Sequence, residues 1–160
     1  MSKVSIIMGS ASDLATVNEV IHVLRDFKII FEVKVLSAHR TPKELAQYVE
    51  SAPQKGVKVF IAAAGMSAAL AGVVAAHTTL PVIGIPMETK NLNGLDSLLS
   101  TVQMPAGIPV ASMAIGKAGA KNAGLFAAEI LGITDKKIGL KLLAYKKAMR
   151  IKIKNTKIRL

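Results

Sequence analysis

The chain has 160 residues, 51% of them hydrophobic and 4% aromatic, which suits one domain with an aliphatic core. It contains no cysteine, which excludes a disulfide framework and thiolate metal sites, and no apolar run is long enough to cross a bilayer. The first residues lack the pattern of a secretory signal, so we expect a cytoplasmic protein.

The net charge of +11 is concentrated at one end of the chain. Residues 1–135 carry eleven Lys and Arg against ten Asp and Glu, whereas residues 136–160 carry ten basic residues and no acidic one. The basic segment lacks the interleaved aromatic side chains typical of single-stranded nucleic acid binding. We interpret it as a solvated helix with a frayed end, following a single α/β domain over residues 1–135, and expect no nucleic-acid or membrane partner.

Five short apolar runs alternate with helical patterns, which predicts a three-layer α/β/α sandwich of flavodoxin or Rossmann type with a parallel five-stranded sheet. In chain order, the strands are predicted over residues 3–8, 30–36, 57–63, 80–85 and 110–115. Helices are predicted over residues 13–27, from residue 42 to the breakers at 53 and 56, and over residues 67–77, 95–102, 118–131 and 136 to about 150.

Local signals mark several helix ends and one helix face. Thr41, Pro42 and Glu44 have the spacing of a capping box at the start of the second helix. Gly132 is expected to close the fifth helix as its C-cap. Helical spacing predicts one packing face on the last helix, formed by Ile138, Leu142, Tyr145 and Met149.

Ligands of such sheets bind outside the carboxyl ends of the strands, so the segments after the strands are the candidate site. After the first strand come Gly9, Ser10, Ser12 and Asp13, where a helix start with two hydroxyls would favour a phosphate. The segment is neither a dinucleotide fingerprint nor a P-loop. Taken alone, Ser12 or Asp13 acting merely as a helix cap is the better explanation, since capping residues are ubiquitous at turns from a strand to a helix.

The segment after the second strand is chemically richer. Ser37, Ala38, His39 and Arg40 place an imidazole, which can both give and take a proton, beside a guanidinium that can hold phosphate with two hydrogen bonds. His22 and His77 are weaker candidates, because each falls within or at the end of a predicted helix.

Small side chains follow the third strand. Around Gly65, Met66 and Ser67 they would let the backbone approach a planar ligand, although tight helix packing accounts for them as well. After the fifth strand, residues 116–119 resemble half a P-loop, but Ala111 stands where its first glycine belongs. A triphosphate site is therefore excluded.

Four ordered segments together resemble the class I, bacterial-type family of 5-(carboxyamino)imidazole ribonucleotide mutases, the PurE family of purine biosynthesis. They read Met-Gly-Ser-Ala-Ser-Asp from Met8, Ser-Ala-His-Arg-Thr-Pro from Ser37, Asp-Ser-Leu-Leu-Ser-Thr-Val-Gln-Met-Pro-Ala-Gly-Ile-Pro-Val from Asp96, and Ala-Ile-Gly-Lys-Ala-Gly-Ala-Lys-Asn-Ala from Ala114. The resemblance spans roughly residues 3–132.

The resemblance implies an isomerase that needs no cofactor and no metal. His39 would act as general acid and base while the carbamate loses carbon dioxide and the ring recaptures it. Ser10, Ser12, Ser37 and Arg40 would hold the substrate phosphate, and Asp13 the ribose hydroxyls. The partners implied are the ribonucleotide, seven further copies in an octamer, and functional coupling to the ATP-dependent carboxyaminoimidazole ribonucleotide synthase.

One segment departs from the class I pattern Ala-Gly-Gly-Ala-Ala-His-Leu-Pro-Gly. Met66 and Ser67 follow Gly65, and Ala69 and Ala71 replace the histidine and the proline. Ser67 resembles class II enzymes, which carboxylate aminoimidazole ribonucleotide directly with carbon dioxide, whereas Arg40 and residues 103–110 favour class I. A class II carboxylase and a non-catalytic nucleotide- or RNA-binding protein are the alternatives.

Overall fold

The computed structural model describes residues 4–158. Five parallel strands lie in the order β2-β1-β3-β4-β5, with the bounds β1 Val4–Met8, β2 Phe31–Val35, β3 Val59–Ala64, β4 Val82–Pro86 and β5 Ala111–Ser112. Six helices connect and follow them: α1 Leu14–Asp26, α2 Pro42–Ser51, α3 Leu70–Ala76, α4 Leu95–Val102, α5 Gly116–Gly132 and α6 Lys136–Lys154. The predicted three-layer, flavodoxin-like fold is confirmed.

Helices cover both faces of the sheet because the central strands β3 and β4 are apolar throughout and bury both of their faces. On one face α1 and α5 pack closely, since a Cβ added to Gly124 would lie 2.9 Å from Cβ of Val23. On the other face α2 and α3 bury aliphatic side chains around Phe60. The small residues of α5 therefore permit the close packing that the composition predicts.

Several predicted boundaries are wrong by a few residues. The fifth strand is only Ala111–Ser112, because it is an edge strand that pairs with β4 alone. The third helix starts at Leu70 rather than residue 67, since a tight turn precedes it. The fifth helix starts at Gly116, and the last helix continues to Lys154, so residues 151–154 are helical and not frayed. The predicted start of β1 at Lys3 lies outside the described residues.

Gly132 is not the left-handed cap that the sequence predicts. It is the last helical residue of α5, and the capping residue Ile133 has a right-handed φ of −60°. Its lack of a side chain serves packing instead, because an added Cβ would lie 3.1 Å from Cδ1 of Leu142 on α6. The predicted face of α6 is buried at Ile138 and partly buried at Leu142 and Tyr145, whereas Met149 is 45% exposed.

The strand order places a topological switch point between β1 and β3, whose following connections leave toward opposite edges of the sheet. The carboxyl ends of β1, β2, β3 and β4 thus face one region. Over residues 4–158, the structure has no helix with the length and apolar character that crossing a membrane requires.

Candidate active site

A cavity of about 730 Å³ opens at the carboxyl ends of the strands. The structure brings together in its lining all eleven site residues that the sequence predicts: Gly9, Ser10, Ser12, Asp13, Ser37, Ala38, His39, Arg40, Gly65, Met66 and Ser67. Its volume falls in the ordinary range for small-molecule sites.

The segment after β1 forms a capping box over the 3₁₀ turn Ala11–Asp13. The Ser10 hydroxyl accepts from the Ser12 backbone N–H at 3.3 Å, and the Ser10 N–H donates to Asp13 Oδ2 at 3.2 Å. The Ser12 hydroxyl donates to the Ser10 hydroxyl at 2.9 Å. Ser10 and Asp13 therefore do cap the turn, and the same geometry lines the cavity with two hydroxyls and a carboxylate.

The carboxyl group of Asp13 has a raised pKa. Partial burial is the main cause, because it disfavours the charged form. The hydrogen bonds from Ser10 and Ser12 and the positive charge of Arg40 act in the opposite direction without cancelling that effect.

The segment after β2 is closed by Thr41. Its hydroxyl accepts from the Ser37 N–H at 2.8 Å and donates to the Ser37 carbonyl at 3.1 Å. The predicted capping box with Glu44 is wrong for this reason: Thr41 occupies the N-cap position of α2, but its side chain makes no capping bond. The hydroxyl instead holds together the loop that carries His39 and Arg40.

Arg40 joins the first two segments. Its Nη2 donates to the Gly9 carbonyl at 2.7 Å, and its Nε donates to the Ser37 hydroxyl at 3.4 Å. Residues 9–13 and 37–41 therefore form one connected surface, which we call the polar wall. His39 is exposed and lines the cavity as part of this wall.

The other histidines lie elsewhere. His22 is exposed on α1 and does not line the cavity. His77 ends α3, where its Nδ1 lies 2.9 Å from Oε1 of Glu50.

The second surface of the cavity, residues 64–70, is apolar except for Ser67 and is called the ring wall. A side chain at Gly65 would crowd its neighbours, because an added Cβ would lie 3.0 Å from Cγ2 of Thr89 and 3.4 Å from Cβ of Met87. Met66 has a φ of 60°, in the left-handed region that favours glycine, and its side chain is 65% exposed. Small neighbours, Ala68 and Ala69, keep this surface open to a flat ligand.

A family model described as AIR carboxylase matches residues 3–152. The chain belongs to the AIR carboxylase family. Proteins named N5-carboxyaminoimidazole ribonucleotide mutase are 50% identical in Saccharolobus solfataricus, with 99% of each chain covered, and 55% identical in Bacillus subtilis, with 87% of this chain and 86% of the relative covered. The crystal structure of Treponema denticola PurE superposes with a TM-score of 0.85 at 29% identity, covering 94% of this chain and 92% of that one.

One of the segments that line the cavity was not predicted from the sequence. Met87, Glu88 and Thr89 line it directly after β4, where the sequence suggested only a loop. Helix α4 holds this segment in place, because the buried hydroxyl of its Ser97 donates to the Met87 carbonyl at 2.6 Å. Thr89 Oγ1 lies 3.4 Å from Oδ1 of Asp96. The strand-end rule that identified the other segments would have identified this one.

The Gly-rich motif after β5 lies outside the lining of this cavity. A Cβ on Gly119 would lie 1.6 Å from the Ala114 carbonyl oxygen, so the motif lets α5 begin against that backbone. Within residues 4–158, His, Asp and Glu side chains form no cluster of three or more that could hold a metal ion.

Proposed function

We propose that the chain is an N5-carboxyaminoimidazole ribonucleotide mutase, an isomerase of purine biosynthesis. The observation that carries this is one cavity with a polar wall suited to ribose and phosphate and an apolar wall suited to a flat ring. Relatives of the same printed name at 50% to 55% identity support the assignment.

The polar wall would bind the ribose phosphate. Hydroxyls of Ser10, Ser12 and Ser37 offer donors, and Arg40 is the cation beside them. Asp13 would accept hydrogen bonds from the ribose hydroxyls. With the phosphate and ribose held there, the imidazole ring would extend toward Gly65 and Met66 on the ring wall.

His39 would carry the proton chemistry. The bond between the carbamate nitrogen and its carboxyl carbon breaks, carbon dioxide leaves, and the nitrogen takes a proton from the imidazolium of His39. Ring carbon four then bonds to the same carbon dioxide, and the proton displaced from that carbon returns to His39. The proton that His39 gives in the first step is replaced in the second step, so one histidine serves as acid and then as base, with no cofactor.

The ring wall would retain carbon dioxide between the two steps. Ala68 and Leu70 are buried and Ala69 is partly buried, so this surface offers few polar groups that would order water beside the ring. Exclusion of water limits escape and hydration of the gas before the ring recaptures it.

Direct carboxylation of aminoimidazole ribonucleotide is the second candidate, favoured by Ser67 on the ring wall. Purified protein should be given the carbamate in one assay, and aminoimidazole ribonucleotide with bicarbonate in another. Fast conversion of the carbamate with slow carboxylation of the amine is expected. The reverse preference would establish the carboxylase, and no conversion together with salt-sensitive RNA binding would favour a non-catalytic nucleic-acid-binding protein.

The proposal extends to the surroundings of the enzyme. Leu92, Leu95, Leu99 and Val102 are exposed along α4 and the turn before it, which supports a homo-oligomer, and we propose an octamer. The substrate is an unstable carbamate, so functional coupling to the ATP-dependent synthase that makes it follows from its chemistry. We propose a cytoplasmic location, for which a chain without cysteines is suited.

A further inference from the structure

Met66 combines two unfavourable features at the mouth of the cavity. Its backbone lies in the left-handed region, at φ 60°, where a Cβ is strained. Its apolar side chain is 65% exposed. Glycine at this position would relieve the backbone strain and would remove the exposed apolar surface. The methionine therefore lowers the stability of the folded protein when no ligand is bound. Such strain at a ligand site indicates a functional contribution.

The backbone of this turn is fixed, whereas the side chain extends into the opening. The Ala68 N–H donates to the Met66 carbonyl at 2.8 Å, and the Ala69 N–H donates to the Ser67 carbonyl at 2.7 Å. Methionine has three rotatable side-chain bonds and a polarisable sulfur that packs well against aromatic rings. The Met66 side chain can therefore adjust to a ring that enters the cavity while its Cα stays in place.

We propose that Met66 is a substrate-binding residue that covers the exposed face of the five-membered ring and closes the carbon dioxide compartment from water. This rests on the proposed function, because it assigns the ring to this wall. Binding of the ring would remove the exposed Met66 side chain from water, and this burial of apolar surface would favour the bound state.

Two variants separate the side chain from the backbone. Met66→Ala removes the thioether chain and keeps the strained Cβ, whereas Met66→Gly removes both. Unfolding of the Gly variant should occur about 2 to 4 °C above that of the Ala variant, because only glycine relieves the strain. Met66→Leu keeps apolar bulk and serves as the conservative control.

Binding of aminoimidazole ribonucleotide should weaken on the order of tenfold in both the Ala and Gly variants and change little in the Leu variant. With the carbamate as substrate, both variants should release a larger fraction of free amine and carbon dioxide per turnover than the wild type. Loss of affinity together with equal or greater stability in the Gly variant is the signature of a side chain that acts on the ligand.

Wild-type affinity and product ratio in the Gly variant would overturn the proposal, because ligand binding would then not need the Met66 side chain. Wild-type values in both variants would overturn it as well. The binding measurement needs no turnover, so it reports on Met66 even if the wild-type protein converts no carbamate and the proposed function fails.

Discussion

The two walls of the cavity are built in opposite ways. The polar wall is tied internally by hydrogen bonds, from Thr41 to Ser37 and from Arg40 to Gly9, before any ligand arrives. The ring wall instead contains the strained Met66, with its side chain largely in solvent. The comparison indicates that, under the proposed function, the polar wall is held in shape before phosphate and ribose bind, whereas the ring compartment would be completed by the ring itself.

The largest effect is expected from His39, the proton carrier that we propose on the polar wall. His39→Asn should lower turnover by about 10² to 10⁴, because it removes general acid and base catalysis and keeps a polar side chain. Binding of aminoimidazole ribonucleotide should stay within a few fold. The matched control His22→Asn changes an exposed histidine on α1 outside the cavity and should be silent. Unchanged turnover in His39→Asn would remove it from the mechanism.

Arg40→Lys tests whether the polar wall depends on a guanidinium. A lysine keeps the charge but cannot bridge the Gly9 carbonyl, the Ser37 hydroxyl and a phosphate at once. The Michaelis constant should rise by the equivalent of about 1 to 3 kcal/mol, with a smaller change in turnover. Lys43→Arg, on the exposed start of α2, is the control, and a normal Michaelis constant for Arg40→Lys would contradict the phosphate assignment.

Thr41→Val removes the hydrogen bonds that hold the loop in place, but it changes no side chain that we propose to contact the substrate. Valine has a similar shape but leaves the Ser37 N–H and carbonyl without their hydroxyl partner. Turnover should fall about tenfold, because the loop that carries His39 loses its fixed geometry. Thr41→Ser keeps the hydroxyl and should recover most of the activity. Equal loss in both variants would mean that the Thr41 hydroxyl alone does not hold the loop.

Asp13 gives the polar wall a dependence on pH. Because the pKa of its carboxyl is raised above 3.8, the charged form disfavours folding, and this disadvantage is lost as pH falls through the raised value. Asp13→Asn should therefore unfold at no lower temperature than the wild type at pH 7, with the difference shrinking in acid. The Michaelis constant should rise for Asp13→Asn at pH 7. If Asp13→Asn were clearly less stable than the wild type at pH 7, the predicted direction of the stability change would be wrong.

The smallest effect is expected outside both walls. Deleting residues 151–160 removes four of the ten basic residues of the C-terminal segment and the last turn of α6, and leaves Ile138 and Leu142 in place. Turnover and Michaelis constant should match the full chain. Loss of conversion in a folded and correctly assembled protein would mean that this segment reaches an active site.

Sequence patterns predicted the order of strands and helices because a central parallel strand is apolar along its whole length, as β3 and β4 are. They also located three of the four segments that line the cavity, since His39 and the hydroxyls are recognisable by chemistry. Glu88 was not predicted, because a carboxylate in a loop is not chemically distinctive in a sequence. Thr41 was misassigned because two partners compete for one hydroxyl, and only the folded loop decides between them.

A crystal structure of the protein with bound aminoimidazole ribonucleotide tests the two-wall account most directly. The phosphate should lie within hydrogen-bond distance of Ser10, Ser12, Ser37 or Arg40, with the ring against Gly65 and the Met66 side chain folded over it. A phosphate bound to the ring wall, or a ribonucleotide bound away from the carboxyl ends of β1 and β3, would contradict the account.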